Sequence, residues 1–182
     1  MHLARPITVC FVMFGMLLPA RIPHGKADAR DCTVMRLALS TNGQVVSPGA
    51  SLDGVQVSAR TVAPWQTWQF IDSTRRRQLV TRVRAELGDA LAPVEALTAD
   101  TARLITGCAS VLKGVRFLPV LPSPPSDTSV ASLSAVAWSD DGQTALIYIG
   151  WSNQWVGRGT FYQFRESGGV WRVVASASAW VQ

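Results

Sequence analysis

Histidine is almost missing from this chain of 182 residues: its two copies, His2 and His24, both fall within the first 29. That opening stretch reads as an export signal. Arg5 supplies a basic start, residues 7–20 form an apolar run, and Ala27-Asp28-Ala29 is a small-x-small cleavage pattern. Cleavage there leaves a mature chain beginning at Arg30. Arg21 and Lys26 sit awkwardly close to that site, which keeps cleavage after Ala20 as the second reading. With cleavage before Arg30 both histidines leave, and this excludes a Ser-His-Asp triad, a Cys-His dyad and any histidine metal site.

Long apolar runs are also wanting. Residues 7–20 fall short of the roughly 20 residues that span a bilayer, and Pro19 interrupts their end, so no stable membrane anchor is expected after cleavage. Cysteine is scarce, with three copies. Cys10 leaves with the signal. Neither it nor Cys32 follows the small residues that a lipoprotein signal needs, since Ile7-Thr8-Val9 and Ala29-Arg30-Asp31 precede them. Cys32 and Cys108 remain, an even pair in an oxidising compartment, and are expected to form a disulfide. Removal of Arg5, Arg21, Lys26 and Asp28 lowers the formal net charge from +5 to +3, which is no nucleic-acid signature. No phosphate loop, dinucleotide fingerprint or cysteine-rich metal pattern occurs, so neither cofactor nor metal is expected.

What the chain does have is a C-terminal stretch, 131–182, with the alternation and punctuation of a four-strand antiparallel meander. Residues 132–139 alternate, and Ser139-Asp140-Asp141-Gly142 supplies a turn. Residues 144–151 are rich in aromatic and β-branched side chains and form the expected central strand. Gly150, Gly157 and Gly159 bracket a loop or bulge carrying Trp151, Asn153 and Trp155. Residues 160–165 resume the pattern, Glu166-Ser167-Gly168-Gly169 turns again, and residues 170–181 close the sheet.

Upstream, the mature chain reads as one domain, 30–182. Residues 31–39 suggest a short strand and 55–62 an edge strand. Residues 72–91 read as an amphipathic helix on Leu79, Val83, Leu87, Ala90 and Leu91, capped by Asp72 or Ser73 and ended by Pro93. A second helix is expected over 99–113, with Leu97, Thr101, Leu104, Ile105, Cys108, Val111 and Leu112 on one face and Gly114 as its end. The proline-rich run 118–129 forms an extended connection to the sheet. The fold class is therefore α+β, two helices packed on a C-terminal four-strand antiparallel meander.

Period-two geometry divides the meander into two faces. Leu133, Ala135, Ala137, Ala145, Ile147, Ile149, Phe161, Trp171, Val173, Ala175 and Ala177 make an aliphatic face suited to helices. Ser134, Trp138, Tyr148, Thr160, Tyr162, Phe164, Arg172 and Ser176 make the other. From it come the candidate binding residues Trp138, Tyr148, Tyr162 and Arg172, unless the segment with Trp65 and Trp68 covers that face. Arg75, Arg76 and Arg77 crowd the first turn of the helix over 72–91, where cations are disfavoured. They are candidate contacts for an anion; the plainer reading is a solvated charged face.

Catalytic patterns are thin. Ser110-Val111-Leu112-Lys113 matches the S-x-x-K of penicillin-recognising acyl enzymes, but the serine falls near a helix end and no Lys-Thr-Gly accompanies it. Glu86, Asp89, Glu95 and Asp100 show no pairing that sequence alone establishes.

The run Ala145-Leu146-Ile147-Tyr148-Ile149, then Gly157-Arg158-Gly159, Phe161-Tyr162, and Gly169-Val170-Trp171-Arg172-Val173 through Trp180-Val181 resembles small exported bacterial proteins of unknown function. The resemblance covers the last third of the chain and implies an exported sheet module without an activity. Those proteins often carry cysteines beside the glycines where this chain has Trp151, Ser152 and Trp155, so no disulfide is expected there. The cone of nuclear-transport-factor-like domains is an analogy of fold alone. The function expected is an exported, non-catalytic binding or interaction module, periplasmic or secreted, with a cell-envelope ligand or protein as partner. The alternative is an acyl or glycosyl hydrolase using Ser110 and Lys113 or a carboxylate pair.

Overall fold

The computed structural model describes residues 27–41, 51–64, 73–88, 97, 103–119, 129–153 and 157–181. The segment up to Lys26, Trp65, Trp68, Trp155 and the prolines of 120–128 lie outside them, as do Ala90, Leu91 and Pro93. Among the described residues there are two α-helices and one mixed sheet of seven strands. The fold is α+β.

The first helix, α1 (Ala29–Thr41), replaces the strand expected over 31–39. Cys32, Val34, Met35, Ala38 and Leu39 are its buried apolar residues, a 3.6-residue stripe rather than an alternation. Asp28 and Asp31 cap it reciprocally. The Asp31 N–H donates to Asp28 Oδ1 at 2.8 Å and the Asp28 N–H to Asp31 Oδ2 at 3.4 Å. The Cys32 N–H donates to the Asp28 carbonyl at 3.0 Å and starts the helical ladder. A chain that begins at Arg30 lacks this cap and places a free ammonium at a helix N-terminus. It is expected to be less stable by about 1 to 2 kcal/mol than a chain beginning at Arg21. Urea unfolding of the two forms measures the difference, and coincident curves would contradict the role given to Asp28.

The second helix, α2 (Ser73–Leu87), is the amphipathic helix expected, shortened at its end. Gly88, at φ 82°, takes the left-handed conformation that closes a helix, its N–H donating to the Arg84 carbonyl at 2.9 Å. Leu79, Val83 and Leu87 are buried.

No helix forms over the described part of 99–113. Residues 103–105 pair with 59–61 through an antiparallel bridge of Arg60 with Leu104, Thr106–Cys108 forms a 3-10 helix, and further turns follow it. The partners that a helix would supply come from elsewhere: the Ile105 N–H donates to the Ala59 carbonyl at 3.0 Å and the Arg103 N–H to Thr61 Oγ1 at 2.8 Å. Gly107 and the β-branched Ile105 and Thr106 weaken the helical alternative. Leu104, placed on the buried stripe by periodicity, is exposed.

The sheet runs β2-β1-β3-β5-β6-β7, with β4 also paired to β5. Its strands are β1 (Gln56–Ser58), β2 (Arg116–Leu118), β3 (Val130–Leu133), β4 (Ala137–Trp138), β5 (Thr144–Ser152), β6 (Gly157–Ser167) and β7 (Val170–Val181). The C-terminal strands pair antiparallel as expected, but the sheet does not stop there. β1 is no edge strand: it lies between β2 and β3 and is parallel to both, with Val57 fully buried. β2 ends at Leu118, ahead of Pro119, which has no N–H to offer a ladder. The single strand expected over 132–139 is split into β3 and β4, because the Ser134 hydroxyl takes the Tyr148 N–H at 2.9 Å while donating to the Ala135 carbonyl. Gly157 opens β6 and Gly159 lies within it, while Gly150 and Trp151 belong to β5.

Both sheet faces carry a core. Against α1 lie Ala145, Ile147, Ile149, Tyr162 and Phe164 with Cys32, Met35 and Cys108; against α2 lie Leu146, Tyr148, Phe161, Ala177 and Ala179. The expected assignment of faces was one residue out on β4, where Trp138 stands opposite Ala145 and Ala137 opposite Leu146, and on β6. Ile147 stands opposite Tyr162 and Tyr148 opposite Phe161, and directly opposed residues share a face. On β7 the parity changes partway. Val173 pairs with Phe164 and Ala175 with Gln163, leaving Val174 as the extra residue of a bulge, so Trp171 and Val173 join the α1 side while Ala175 and Ala177 join the α2 side.

Candidate functional site

Four aromatic and basic residues expected on one binding face are not brought together. Tyr148 is fully buried under α2, its ring 5.1 Å from that of Phe161, and its hydroxyl accepts the Trp180 Nε1 hydrogen bond at 2.7 Å. Trp180 can reach it because Gly159 has no Cβ: one added there would collide with both Trp180 and the Tyr148 hydroxyl. Tyr162 is buried on the opposite face, beside Phe164. Arg172 is exposed on β7 opposite Arg165. Trp138 is half-buried and belongs to the α1 side.

Around Trp138 the chain assembles a polar cluster that periodicity did not reveal. The Trp138 Nε1–H donates to Asp31 Oδ1 at 2.9 Å. The Arg30 guanidinium stands 4.4 Å above the Trp138 ring and 5.9 Å from that of Trp171, while the two indoles meet edge to face at 5.5 Å. Arg30 also donates to the Gly142 carbonyl and lies 3.5 Å from Glu166. Three separate elements converge here: the first turn of α1, β4, and the β6–β7 hairpin.

Behind Trp138, Arg103 and Asp31 form a pair with side chains 6% exposed each, Arg103 Nη1 lying 3.7 Å from Asp31 Oδ2. The Arg103 backbone is clamped to Thr61 in both directions, since its carbonyl accepts the Thr61 N–H at 2.9 Å. Arg103 Nε and Nη2 are closed to solvent and have no hydrogen-bond partner among the described residues. Burial pushes the Asp31 carboxyl above the ordinary aspartate range; the Trp138 indole opposes this, the Asp28 charge adds to it, and Arg103 opposes it more weakly.

A folded pKa above the unfolded one means that the folded chain holds the proton more tightly. Asp31's contribution is then greatest below the unfolded value and declines as pH rises through the folded one. The wild-type chain is expected to gain stability relative to Asp31→Asn as pH falls from neutrality toward the carboxylate range. Paired urea titrations across that range check it, and a pH-independent difference would contradict it.

The remaining expected sites are dispersed. Arg75 and Arg77 are exposed on α2, and nothing is described of the Arg76 side chain. Arg75 lines a shallow cleft with Gln78, Leu79, Arg82 and Ala179, where Arg82 donates to the Ser178 and Ala179 carbonyls at 3.0 and 3.2 Å. Ser110 and Lys113 are exposed in the turns after Thr106–Cys108. Glu86 faces Arg82 at 3.7 Å, while Asp89, Glu95 and Asp100 lie outside the described residues. Among the described residues no cluster of acidic, histidine or cysteine side chains is arranged to hold a metal.

Cys32 and Cys108 are joined, tying α1 to the 3-10 turn. Such a bond persists in oxidising surroundings. No helix among the described residues is long and apolar enough to cross a membrane. No family model, curated protein or solved structure matches the chain.

Proposed function

We propose that this protein is an exported, non-catalytic binding module, periplasmic or secreted, which captures a cell-envelope ligand or protein at the N-terminal end of α1. The single observation that carries this reading is the environment of Trp138. Its ring is only half-buried, its Nε1 is fixed by buried Asp31, and Arg30 stands over its face. An indole immobilised at its polar end, flanked by a second indole and a cation, presents a rigid contact surface that loses little freedom on binding. The disulfide supports the compartment. Tyr148 and Tyr162 are support beneath the surface in this reading, and Arg172 and the arginines of α2 are peripheral.

The test is capture from envelope extract by the mature protein and its variants, each checked for an unchanged unfolding midpoint. Trp138→Ala and Arg30→Ala are expected to lose the captured species, and Ser110→Ala to retain it. Turnover of any captured species that disappears in Ser110→Ala would replace this reading with the hydrolase.

A further inference from the structure

Arginine carries five N–H donors on a planar group that cannot be neutralised near physiological pH, so its complete burial demands partners. Arg103 is 94% buried by side chain yet poorly supplied. Its Nη1 is 3.7 Å from Asp31 Oδ2, close enough for attraction and too far for a hydrogen bond. The Asp31 oxygens are meanwhile engaged elsewhere, Oδ1 with Trp138 and Oδ2 with the Asp28 N–H. The two donors left over, Nε and Nη2, are not scattered: they share one edge of the guanidinium and point the same way. The clamp on Thr61 holds the residue in place, so the edge is presented from a fixed backbone.

Two parallel donors on a cation match two oxygens on an anion; carboxylates and phosphoryl groups accept such a fork in a bidentate manner, whereas an amide offers one oxygen. We propose that the Nε/Nη2 edge of Arg103 is a binding site for an oxyanionic group, a carboxylate or a phosphoryl, seated behind Trp138. The edge is closed to solvent, so its cover must move aside to admit the group, which is either a small ion or the terminal anion of a larger ligand. The proposal rests on the reading of the protein as a binding module and gives its ligand a chemical class.

The Arg103 Nε–H reports on the site directly. In 15N-labelled protein beginning at Arg21, which keeps Asp28, its resonance, assigned through its own side-chain carbons, is followed as acetate and inorganic phosphate are titrated separately through the millimolar range at constant ionic strength. A saturable shift with acetate alone identifies a carboxylate site, with phosphate alone a phosphoryl site, and with both the shared class. Arg103→Lys keeps the charge and lacks the fork, and is expected to lose the saturable response monitored at the Trp138 Nε1–H. No saturable shift of the wild-type Nε–H with either anion overturns the site, as does an undiminished response at Trp138 in Arg103→Lys. The wild-type titration decides the matter even where Arg103→Lys folds poorly. Envelope capture by Trp138 without an anion response refutes this site alone; an anion response without capture refutes only the broader reading.

Discussion

Loss of the Cys32–Cys108 bridge is expected to lower stability by about 4 to 5 kcal/mol, the chain-entropy value for closing a loop of this size. The bonded residues are 76 positions apart, and the segment between them includes β1, α2 and the 3-10 turn. Without the bridge, α1 keeps its packing on Ala145, Ile147 and Ile149 and two polar anchors from the far segment, the Arg36 Nη1 hydrogen bond to the Val111 carbonyl at 2.8 Å and the Asp31–Arg103 pair. The unfolded chain, by contrast, regains the freedom that the bridge removes. Both sulfurs are in the core, Cys32 at 3% exposure and Cys108 at 0%, so the Cys32→Ala/Cys108→Ala variant also loses close packing there. A shift of the urea midpoint on reduction, reproduced by the double variant, is the expected result. Denatured, unreduced mature protein should titrate no free thiol at these positions, and two free thiols would contradict the bridge.

Tyr148→Ala is expected to cost about 3 to 5 kcal/mol, the range for truncating a large buried aromatic. The ring fills the space between β5, β6 and α2, in contact with Phe161 and within the cluster formed by Leu79, Val83 and Leu87. Removing it opens a cavity and strips Trp180 Nε1 of its acceptor. Tyr148→Phe separates these effects, since it keeps the ring and removes only the hydroxyl; its expected cost is about 1 to 3 kcal/mol, the penalty for an orphaned, part-buried donor. Envelope capture by refolded Tyr148→Phe should equal that of wild type. A Tyr148→Phe variant with native stability and no capture would return Tyr148 to the binding surface.

The residues of local grammar were readable along the chain. A run of aromatic and β-branched residues marked β5, the turns at Asp141-Gly142 and Gly168-Gly169 were placed correctly, and the stripe of Leu79, Val83 and Leu87 marked α2. Cysteine parity was enough for the Cys32–Cys108 pair. The site was far less legible. Trp138 stood out as an aromatic, but Asp31 and Arg103 had no local mark, being ordinary charged residues in segments read as a strand and a helix.

By itself, then, the amino-acid order determined an α+β chain with one disulfide and an antiparallel C-terminal sheet, because those features depend on neighbours, on turn residues and on counting cysteines. Tertiary structure alone decided which side of the sheet each ring occupies. Register is a relation between strands, and a one-residue offset on β6 or the extra Val174 on β7 exchanges the faces without changing any local pattern. It also decided that 103–105 pairs with 59–61 rather than coiling into an α-helix, since Ala59 and Thr61 take the hydrogen bonds that a helix would have used. That pairing carries Arg103 to Asp31, 72 positions away in sequence, and so creates the buried pair behind Trp138.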